Sequence, residues 1–482
     1  MNHFPFVISL VLLLCTLSFV NPVKAQVFLS QPARVPIEAQ DWQTKDVRAI
    51  DIDQDDDLDI IVANEFDQNA ILLNDGNGIF SVGNQGIPPS IIHDSEDIVL
   101  ADFNGDGFLD IIFISEDDFE NEYYWNTGSG SFVSSPNVLP FTSSNAAAAV
   151  DITNDGRPDL ILGNNDQNMI LVNDGFGNLL VDTDRLPLLT EKTHDIKMLD
   201  IEGDGDMDMF VANEGTNRLM INDGAGFFVD ASAARLPSGL NLDTRKAVIA
   251  DANGDGFPDI FLCNVEFSLA TNPQDRLFLN DGAGYFTDAT ERLPSKNNQT
   301  LDAVFIDLDE DGDLDLITAN VFGNPVNILL NIDNQFHPVS AAAINPLGAV
   351  EAFGIVPGDF DKDGYVDFYI ANAAGKDLVL IRDASVQLVS TQEVSDFATQ
   401  IELFPNPIQS SFSLKWEPEF VNEKTVFQIF NGQGQRIQQL FPQQKTDKRY
   451  TFTLPENFPA GCYYLQIQNG TQIGVKRFLK IP

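Results

Sequence analysis

Bases are scarce in this chain of 482 residues: 27 Lys and Arg stand against 72 Asp and Glu, a net charge of −45. A surface this acidic repels nucleic acid and anionic membrane and favours cations or basic partners, so nucleic-acid binding is excluded. Long apolar runs are scarce too. The one near the start, Phe6 to Val20, falls short of the roughly 20 residues a helical span needs. It leads into Val23-Lys24-Ala25, an A-x-A-like cleavage site, so residues 1–25 read as a secretory signal peptide. No later run is long enough to cross a bilayer, and no transmembrane segment is expected after signal cleavage. Past the signal only Cys263 and Cys462 remain, two distant cysteines that cannot form a disulfide scaffold. Something else must staple the loops. His93, His194 and His337 occupy unrelated positions, and neither a G-x-S-x-G elbow nor an H-E-x-x-H pair occurs, so an enzyme is not expected.

What the chain has instead is a repeated acidic nonapeptide. DLDEDGDLD (307–315) has kin in DIDQDDDLD (51–59), DFNGDGFLD (102–110), DITNDGRPD (151–159), DIEGDGDMD (200–208), DANGDGFPD (251–259) and DFDKDGYVD (359–367). Successive copies start 51, 49, 49, 51, 56 and 52 residues apart. A fixed period near 50 signals a repeat architecture. Around each copy lie period-2 apolar runs such as DAVFI (302–306) and LDLITAN (314–320), then a run ending in Asn-Asp-Gly, as in LFLNDG (277–282), then a run opening on an aromatic residue such as Phe286. Alternating runs between Gly/Asn/Asp turns are strands in hairpins. Four strands per repeat, seven times over, describe an all-β, seven-bladed β-propeller. Phe28…Val35-Pro36, ahead of the first loop, shares its spacing with Phe80…Ile87-Pro88, Phe132…Leu139-Pro140 and Phe286…Leu293-Pro294, whereas the seventh repeat loses its turn and reads RDASV (382–386). The N-terminal strand is therefore expected to complete the seventh blade, with VQLVS (386–390) as the other candidate.

Within each loop, oxygen-bearing side chains recur at positions 1, 3, 5 and 9, with Gly at 6 in six copies to permit a positive φ. Oxygen-only, carboxylate-rich coordination suits Ca²⁺, whereas zinc favours His or Cys. The candidate ligands are Asp51, Asp53, Asp55 and Asp59 in loop 1; Asp102, Asn104, Asp106 and Asp110 in loop 2; Asp151, Thr153, Asp155 and Asp159 in loop 3; and Asp200, Glu202, Asp204 and Asp208 in loop 4. They continue with Asp251, Asn253, Asp255 and Asp259 in loop 5; Asp307, Asp309, Asp311 and Asp315 in loop 6; and Asp359, Asp361, Asp363 and Asp367 in loop 7. By analogy with other Asp-rich loops, position 7 offers its backbone carbonyl, from Asp57, Phe108, Arg157, Asp206, Phe257, Asp313 and Tyr365. An EF-hand needs a Glu at position 12, where this chain has Val62, Phe113, Leu162, Val211, Leu262, Thr318 and Ile370, so that motif is excluded. Up to seven structural calcium ions are expected, the weakest in loop 3, where Thr153 replaces an acid and Arg157 adds a positive charge. Asp56, in place of the position-6 glycine, strains loop 1.

These repeats resemble the FG-GAP/VCBS family, whose best-known members are the propellers of integrin α subunits. The loop pattern with N-D-G-x-G-x-F downstream carries the resemblance, which spans roughly residues 27–390. The literal Phe-Gly/Gly-Ala-Pro sequence does not recur in register, so the bacterial VCBS-like variety is the nearer one. After about residue 400 the composition changes: 404-FPNP-407, PAGCYYLQI (459–467) and KRFLK (476–480) resemble the C-terminal sorting domain of type IX secretion substrates. That resemblance implies a small Ig-like β-sandwich, export across the outer membrane of a Gram-negative bacterium through the type IX machinery, and a secreted or cell-surface location. The expected organisation is a signal peptide (1–25), the propeller (26–390), a linker (391–400, TQEVSDFATQ) and the sorting domain (401–482).

The face opposite the acidic loops carries the start of strand one and the end of strand two. Five residues before the loops stand Asp46, Asp97, Ala146, Asp195, Lys246, Asp302 and Gly354; Glu65, Glu116 and Glu214 follow the second strands of repeats 1, 2 and 4. Asp46, Asp97, Asp195, Asp302, Glu65, Glu116 and Glu214 are thus expected in a polar, mostly acidic ring at the channel mouth. The asparagines that end six of the second strands, Asn64, Asn164, Asn213, Asn264, Asn320 and Asn372, read more simply as turn caps. The non-repeating loop VEFSLATNPQD (265–275) is a candidate for specificity. The main reading is a non-catalytic binding or adhesion protein with an extracellular glycan or protein ligand. The alternatives are a calcium-dependent polysaccharide lyase or hydrolase, and a passive structural surface protein.

Overall fold

The computed structural model describes residues 28–383 and 401–480, apart from 84–85, 89–90, 118–119, 129, 268–271, 296–297, 340–349, 374, 406–407, 416–424, 431–435, 447–448, 456–457, 460 and 470–471. The signal peptide, the strand candidate at 386–390 and the linker lie outside the described residues, as does part of the 265–275 loop.

Seven four-stranded antiparallel units follow one another. Blade 1 comprises Thr44–Ile50, Asp59–Asp67, Ala70–Asn74 and Phe80–Val82; blade 2, His93–Ala101, Asp110–Ser115, Glu122–Asn126 and Phe132–Ser134; blade 3, Ser144–Val150, Asp159–Asn164, Met169–Asn173 and Leu179–Asp182. Blade 4 is Thr193–Leu199, Asp208–Gly215, Arg218–Asn222 and Phe228–Asp230; blade 5, Leu242–Ala250, Asp259–Asn264, Arg276–Asn280 and Phe286–Asp288; blade 6, Thr300–Ile306, Asp315–Asn320, Asn327–Ile332 and Gln335–Pro338. Blade 7 is Ala352–Gly358, Asp367–Asn372 and Leu378–Arg382, completed by Phe28–Ser30 from the other end of the chain, with Phe28 opposite Arg382 and Ser30 opposite Leu380. The first strands neighbour one another in a closed order, blade 7 returning to blade 1. This is a β-propeller, closed by the N-terminal strand.

Second strands such as DIIFIS and DFYIAN are buried along their whole length. Each is covered by a neighbouring blade on both faces, so it reads as a continuous apolar run. Fourth strands bury only their leading residue, Phe80, Phe132, Phe228 or Phe286, and leave the next two exposed at the rim. Val35, Ile87, Leu139 and Leu293, the residues before the paired prolines, are buried where the chain crosses to the next blade.

The Asn-Asp-Gly asparagines are latches between blades. Asn280 Oδ1 accepts from Gly282 and Gly284 N–H (3.0 and 3.1 Å), while its Nδ2 donates to the Ile201 carbonyl of blade 4 (3.1 Å). Blade 7 has lost this turn because Arg382 stands in its place, donating from its own N–H to Asp367 (2.9 Å) and from Nη1 to the Leu308 carbonyl of blade 6 (2.6 Å).

A second latch sits at the start of the third strand. In blades 1–4 Asn69, Asn121, Asn168 and Asn217 accept from the backbone N–H of Asn64, Ser115, Asn164 and Asn213 on the second strand (2.8–2.9 Å). Asn217 then donates to Thr244 Oγ1 (2.9 Å), which donates to Asn264 Oδ1 (2.8 Å). Blade 5 has Asp275 instead. Thr300 Oγ1 faces both Asp275 Oδ2 (2.8 Å) and Asn320 Oδ1 (2.9 Å), but a hydroxyl carries one proton for two acceptors. Burial pushes the Asp275 carboxyl up to about 7. An acid with a raised folded pKa adds stability that is complete below its unfolded value near 4 and lost as pH rises toward 7. Asp275→Asn restores the chain of donors seen at Asn217. It is expected to raise stability by roughly 2–4 kcal/mol at pH 8 and to leave it little changed at pH 4, as measured by urea unfolding at the two pH values.

The C-terminal residues form two four-stranded antiparallel sheets. One orders Glu402–Phe404, Ser411–Lys415, Arg449–Thr453 and Gln444–Thr446; the other, Arg436–Leu440, Val426–Phe430, Gly461–Asn469 and Gln472–Lys480. Phe412, Leu414 and Phe452 from the first sheet and Phe427, Ile429, Leu465 and Ile467 from the second share one core, so the pair is a sandwich.

Candidate metal loops and the channel-mouth site

Each acidic loop is organised by its own backbone. In loop 6 Asp307 accepts from Asp311 and Gly312 N–H (both 3.1 Å), and Asp311 accepts from Asp313 N–H (3.2 Å). Asp315, fully buried, accepts from Leu308 and Asn331 N–H (2.9 and 2.8 Å), which ties the loop to the third strand. The same pair of bonds holds Asp59, Asp110, Asp159, Asp208, Asp259 and Asp367. Burial pushes these closing carboxyls up, Asp59, Asp315 and Asp367 to about 7 and Asp110, Asp208 and Asp259 to about 6, against the pull of their N–H donors. A cation in the loop acts in the opposite direction.

The third position is where donors run out. Asp53, Asp309 and Asp361 each keep a buried Oδ1 with no hydrogen-bond partner, and Thr153 a buried Oγ1. Asp51, Asp53 and Asp59 offer oxygens within 4.8 Å of one another, as do Asp307, Asp309 and Asp311. Converging, partnerless carboxylate oxygens fit a hard divalent cation such as Ca²⁺, to be held by positions 1, 3, 5 and 9. Some loops already meet a base, from within or from a neighbouring segment. Arg157 donates to Asp155 within loop 3 (Nε, 3.1 Å), Arg235 pairs with Glu202 of loop 4 (2.5 Å), Arg34 with Asp361 of loop 7 (3.3 Å), and Lys362 with Asp57 of loop 1.

Position 6 adopts a left-handed backbone in every loop, for example φ 98° at Gly312, and Asp56 is forced into it at 70°. Nothing surrounds the equivalent glycines within 4 Å, so the backbone alone sets the strain. Asp56→Gly is expected to stabilise the protein by about 1 kcal/mol, seen as a higher unfolding midpoint in urea. Position 4 is left-handed as well, at Gln54, Asn154, Glu310 and Lys362 and at three glycines. Gly105, Gly203 and Gly254 were the sequence signal for it.

The opposite face departs from the expected acidic ring. In every blade the first strand carries a bulge seven to five residues before its loop, between Thr44 and Asp46 in blade 1 and likewise to Ala352 and Gly354 in blade 7. A bulge inserts one residue and shifts the alternation of side chains. The residue turned to the mouth is consequently the bulged one: Lys45, Glu96, Asn145, His194, Arg245, Leu301 and Phe353, one per blade, around a cavity of about 320 Å³. Glu65 and Glu116 join them as expected, and Phe267 comes from the non-repeating loop. Glu214 lies beside the mouth, 4.0 Å from His194 Nε2.

Asp46, Asp97, Asp195 and Asp302 are instead buried deeper, where bases neutralise them. Asp46 pairs with Arg48 (2.5 Å) and with Lys246 of blade 5 (2.8 Å); burial pushes it up, but the two cations prevail and hold it at about 2. Arg48 also reaches Asp97 (2.8 Å), Lys197 reaches Asp195 (3.1 Å), and Lys246 lies 3.9 Å from Asp302. Three of these aspartates clasp the next blade, Asp97 accepting from Ala147 N–H (2.9 Å), Asp195 from Ala247 (2.8 Å) and Asp302 from Ile355 (3.0 Å). They are structural staples. The asparagines after the second strands are caps, as read: Asn64 donates to Gln68 O (2.6 Å) and accepts from Thr44 (3.0 Å).

Comparison with known families fits this geometry. Residues 51–113, 102–162, 151–211, 200–262, 264–318 and 307–370 each match the FG-GAP-like repeat; five of the six matches start at the first aspartate of an acidic loop, the other just after loop 5, and all end in the second strand of the next blade. The chain belongs to the FG-GAP-like repeat family. Residues 402–481 match the secretion system C-terminal sorting domain, so the protein is a type IX secretion substrate bound for the cell surface or the extracellular space. Among the described residues no helix is long and apolar enough to cross a membrane. No curated protein matches the chain. Among solved structures it is similar to an Agrocybe aegerita lectin described as recognising non-reducing terminal N-acetylglucosamine, at 16% identity and a TM-score of 0.43 over 72% of this chain and 88% of that one. It is similar also to BBS1N in complex with ARL6DN, soaked with lead (12%, TM-score 0.45) or mercury (11%, TM-score 0.46), over 76% of this chain and all of that one.

Proposed function

We propose that this exported FG-GAP-like protein is a non-catalytic binding or adhesion propeller, stabilised by calcium in its acidic loops, that takes an extracellular glycan or protein at the channel mouth. The observation that carries the reading is the pattern of variation among the blades. Positions that build the fold repeat from blade to blade, whereas the bulged position is occupied by Lys, Glu, Asn, His, Arg, Leu and Phe in turn. One backbone geometry therefore presents seven different side chains to one cavity, which is how a fixed scaffold acquires specificity. Exposed Phe66, Phe267 and Phe322 add apolar contact surface on the loops of this face. Binding of the purified protein to a glycan array and to intact cells, with and without Arg245→Ala and Phe267→Ala, tests it. Both variants are expected to lose binding; Phe267→Ala, at a half-exposed loop residue, keeps the wild-type unfolding midpoint, whereas Arg245→Ala also lowers it because buried Asp243 loses its base. A passive surface protein binds nothing in either form. Incubation with a polysaccharide panel is expected to release no new reducing or unsaturated ends.

A further inference from the structure

Blades 1 and 2 are joined edge to edge by a short bridge that sets Glu65 opposite Asp94. Like charges directly across a strand pair are destabilising. Blades 4 and 5 carry the same bridge with the same chemistry, Glu214 opposite Asp243. There the conflict is resolved from within: the bulged residue of blade 5 is Arg245, which grips Asp243 through Nε and Nη2 (2.7 and 3.2 Å). At the blade 1–2 bridge the bulged residue is Glu96. It adds a carboxylate where its counterpart supplies a guanidinium.

Glu65, Asp94 and Glu96 offer oxygens within 4.8 Å of one another, and Glu116 lies on the far side of Asp94 in a second such group. Asp94 is 2% exposed, and its Oδ1 has no hydrogen-bond partner. Lys45 is shared between Glu65 (3.1 Å) and Glu96 (3.6 Å), and Glu116 has Lys192 (3.3 Å). Two lysines thus serve at least four carboxylates, one of them buried with an orphaned oxygen. The set is all oxygen, with neither His nor Cys, which selects a hard cation.

We infer that Glu65, Asp94 and Glu96 bind a Ca²⁺ ion on the channel-mouth face, flanked by Glu116 and separate from the hairpin loops. Two positive charges balance the surplus that the lysines leave. Arg245 performs this office at the pseudo-equivalent bridge, so that site needs no ion.

The test is calcium stoichiometry of the full chain by equilibrium dialysis, with unfolding midpoints in EDTA. Glu96→Arg, which copies the blade 4–5 solution, is expected to bind one ion fewer per chain than wild type and to unfold at a higher temperature than wild type in EDTA. Glu96→Gln, a smaller change, is expected to lose the same ion even if the Arg variant does not fold. Asp309→Asn, in loop 6, serves as the control for the loops and leaves the mouth ion in place. Unchanged uptake in both Glu96 variants, with the loop sites still filling, overturns this site alone. No uptake by wild type overturns the loop reading along with it.

Discussion

Stripping calcium with EDTA is expected to lower the thermal unfolding midpoint of the protein by roughly 5–10 °C, and calorimetric titration is expected to register calcium uptake. The origin is electrostatic. Two carboxylates about 5 Å apart repel by roughly 3 kcal/mol at an effective dielectric of 20, and loop 6 gathers Asp307, Asp309 and Asp311 within 4.8 Å. Backbone N–H groups satisfy the first, fifth and ninth positions, but Asp309 Oδ1 is left buried without a donor. At millimolar calcium, loops of extracellular affinity each contribute roughly 0.5–1.5 kcal/mol. For a ring of this size 1 kcal/mol moves the midpoint by about 1–2 °C. The loops are not equal. Loop 6 has no internal base among the described ion pairs, whereas Arg157 already draws the Asp155 carboxyl of loop 3 below its usual range through a hydrogen bond. Arg157→Ala is therefore expected to strengthen uptake in loop 3. A midpoint indifferent to EDTA, together with no uptake of heat-detectable calcium, ends the calcium reading.

The propeller was legible in the sequence because two periods reinforce each other: alternation within each strand and a spacing near 50 between loops. The ring closure was legible for the same reason, since Phe28 and Val35-Pro36 repeat a spacing found at Phe80, Phe132 and Phe286. The channel mouth was not. Counting back five residues from each loop to the start of strand one put Asp46, Asp97, Asp195 and Asp302 there, but the bulge after Thr44 and its equivalents hands the position to the preceding residue. No shared chemistry marks Lys45, Glu96, Asn145, His194, Arg245, Leu301 and Phe353, so nothing in their composition announces a ring. The available signal was indirect: Thr or Ser recurs at Thr44, Ser95, Ser144, Thr193, Thr244 and Thr300, and each is register partner to the Asn or Ser five residues past the closing aspartate of its loop. Twenty residues separate the two ends of each such pair, as between Thr44 and Asn64, and an even ladder between them leaves no room for the extra residue. Asp275 and its blade 7 counterpart Asp377, which is fully buried and accepts from Asn372 N–H (2.8 Å) and Thr44 Oγ1 (3.0 Å), hid for a different reason. In a chain with 72 acids, two aspartates where other blades have asparagine look like surplus charge, and only burial makes them titrate near 7.

Phe28→Ala is expected to destabilise the protein by about 3–5 kcal/mol, the range for emptying a buried phenylalanine site. Phe28 is fully buried, meets Phe368 edge-on at 5.3 Å, and packs with Leu308, Ile317, Ile328 and Leu380 between blades 6 and 7. Phe80, Phe132, Phe228 and Phe286 open the fourth strands of other blades, so loss of core volume alone predicts a similar deficit for Phe228→Ala. What sets Phe28 apart is connectivity. Its strand is three residues long and pairs with residues some 350 positions away, at Leu380–Arg382, so its docking carries the chain-closure entropy of the whole ring. Weakened docking leaves Leu378–Arg382 as an open edge with unpaired backbone groups. Hydrogen exchange separates the two effects: in Phe28→Ala the amides of Leu378–Arg382 are expected to lose protection ahead of global unfolding, and in Phe228→Ala they are expected to keep it. Equal protection of that strand in both variants shows that the ring does not depend on its N-terminal strand for closure.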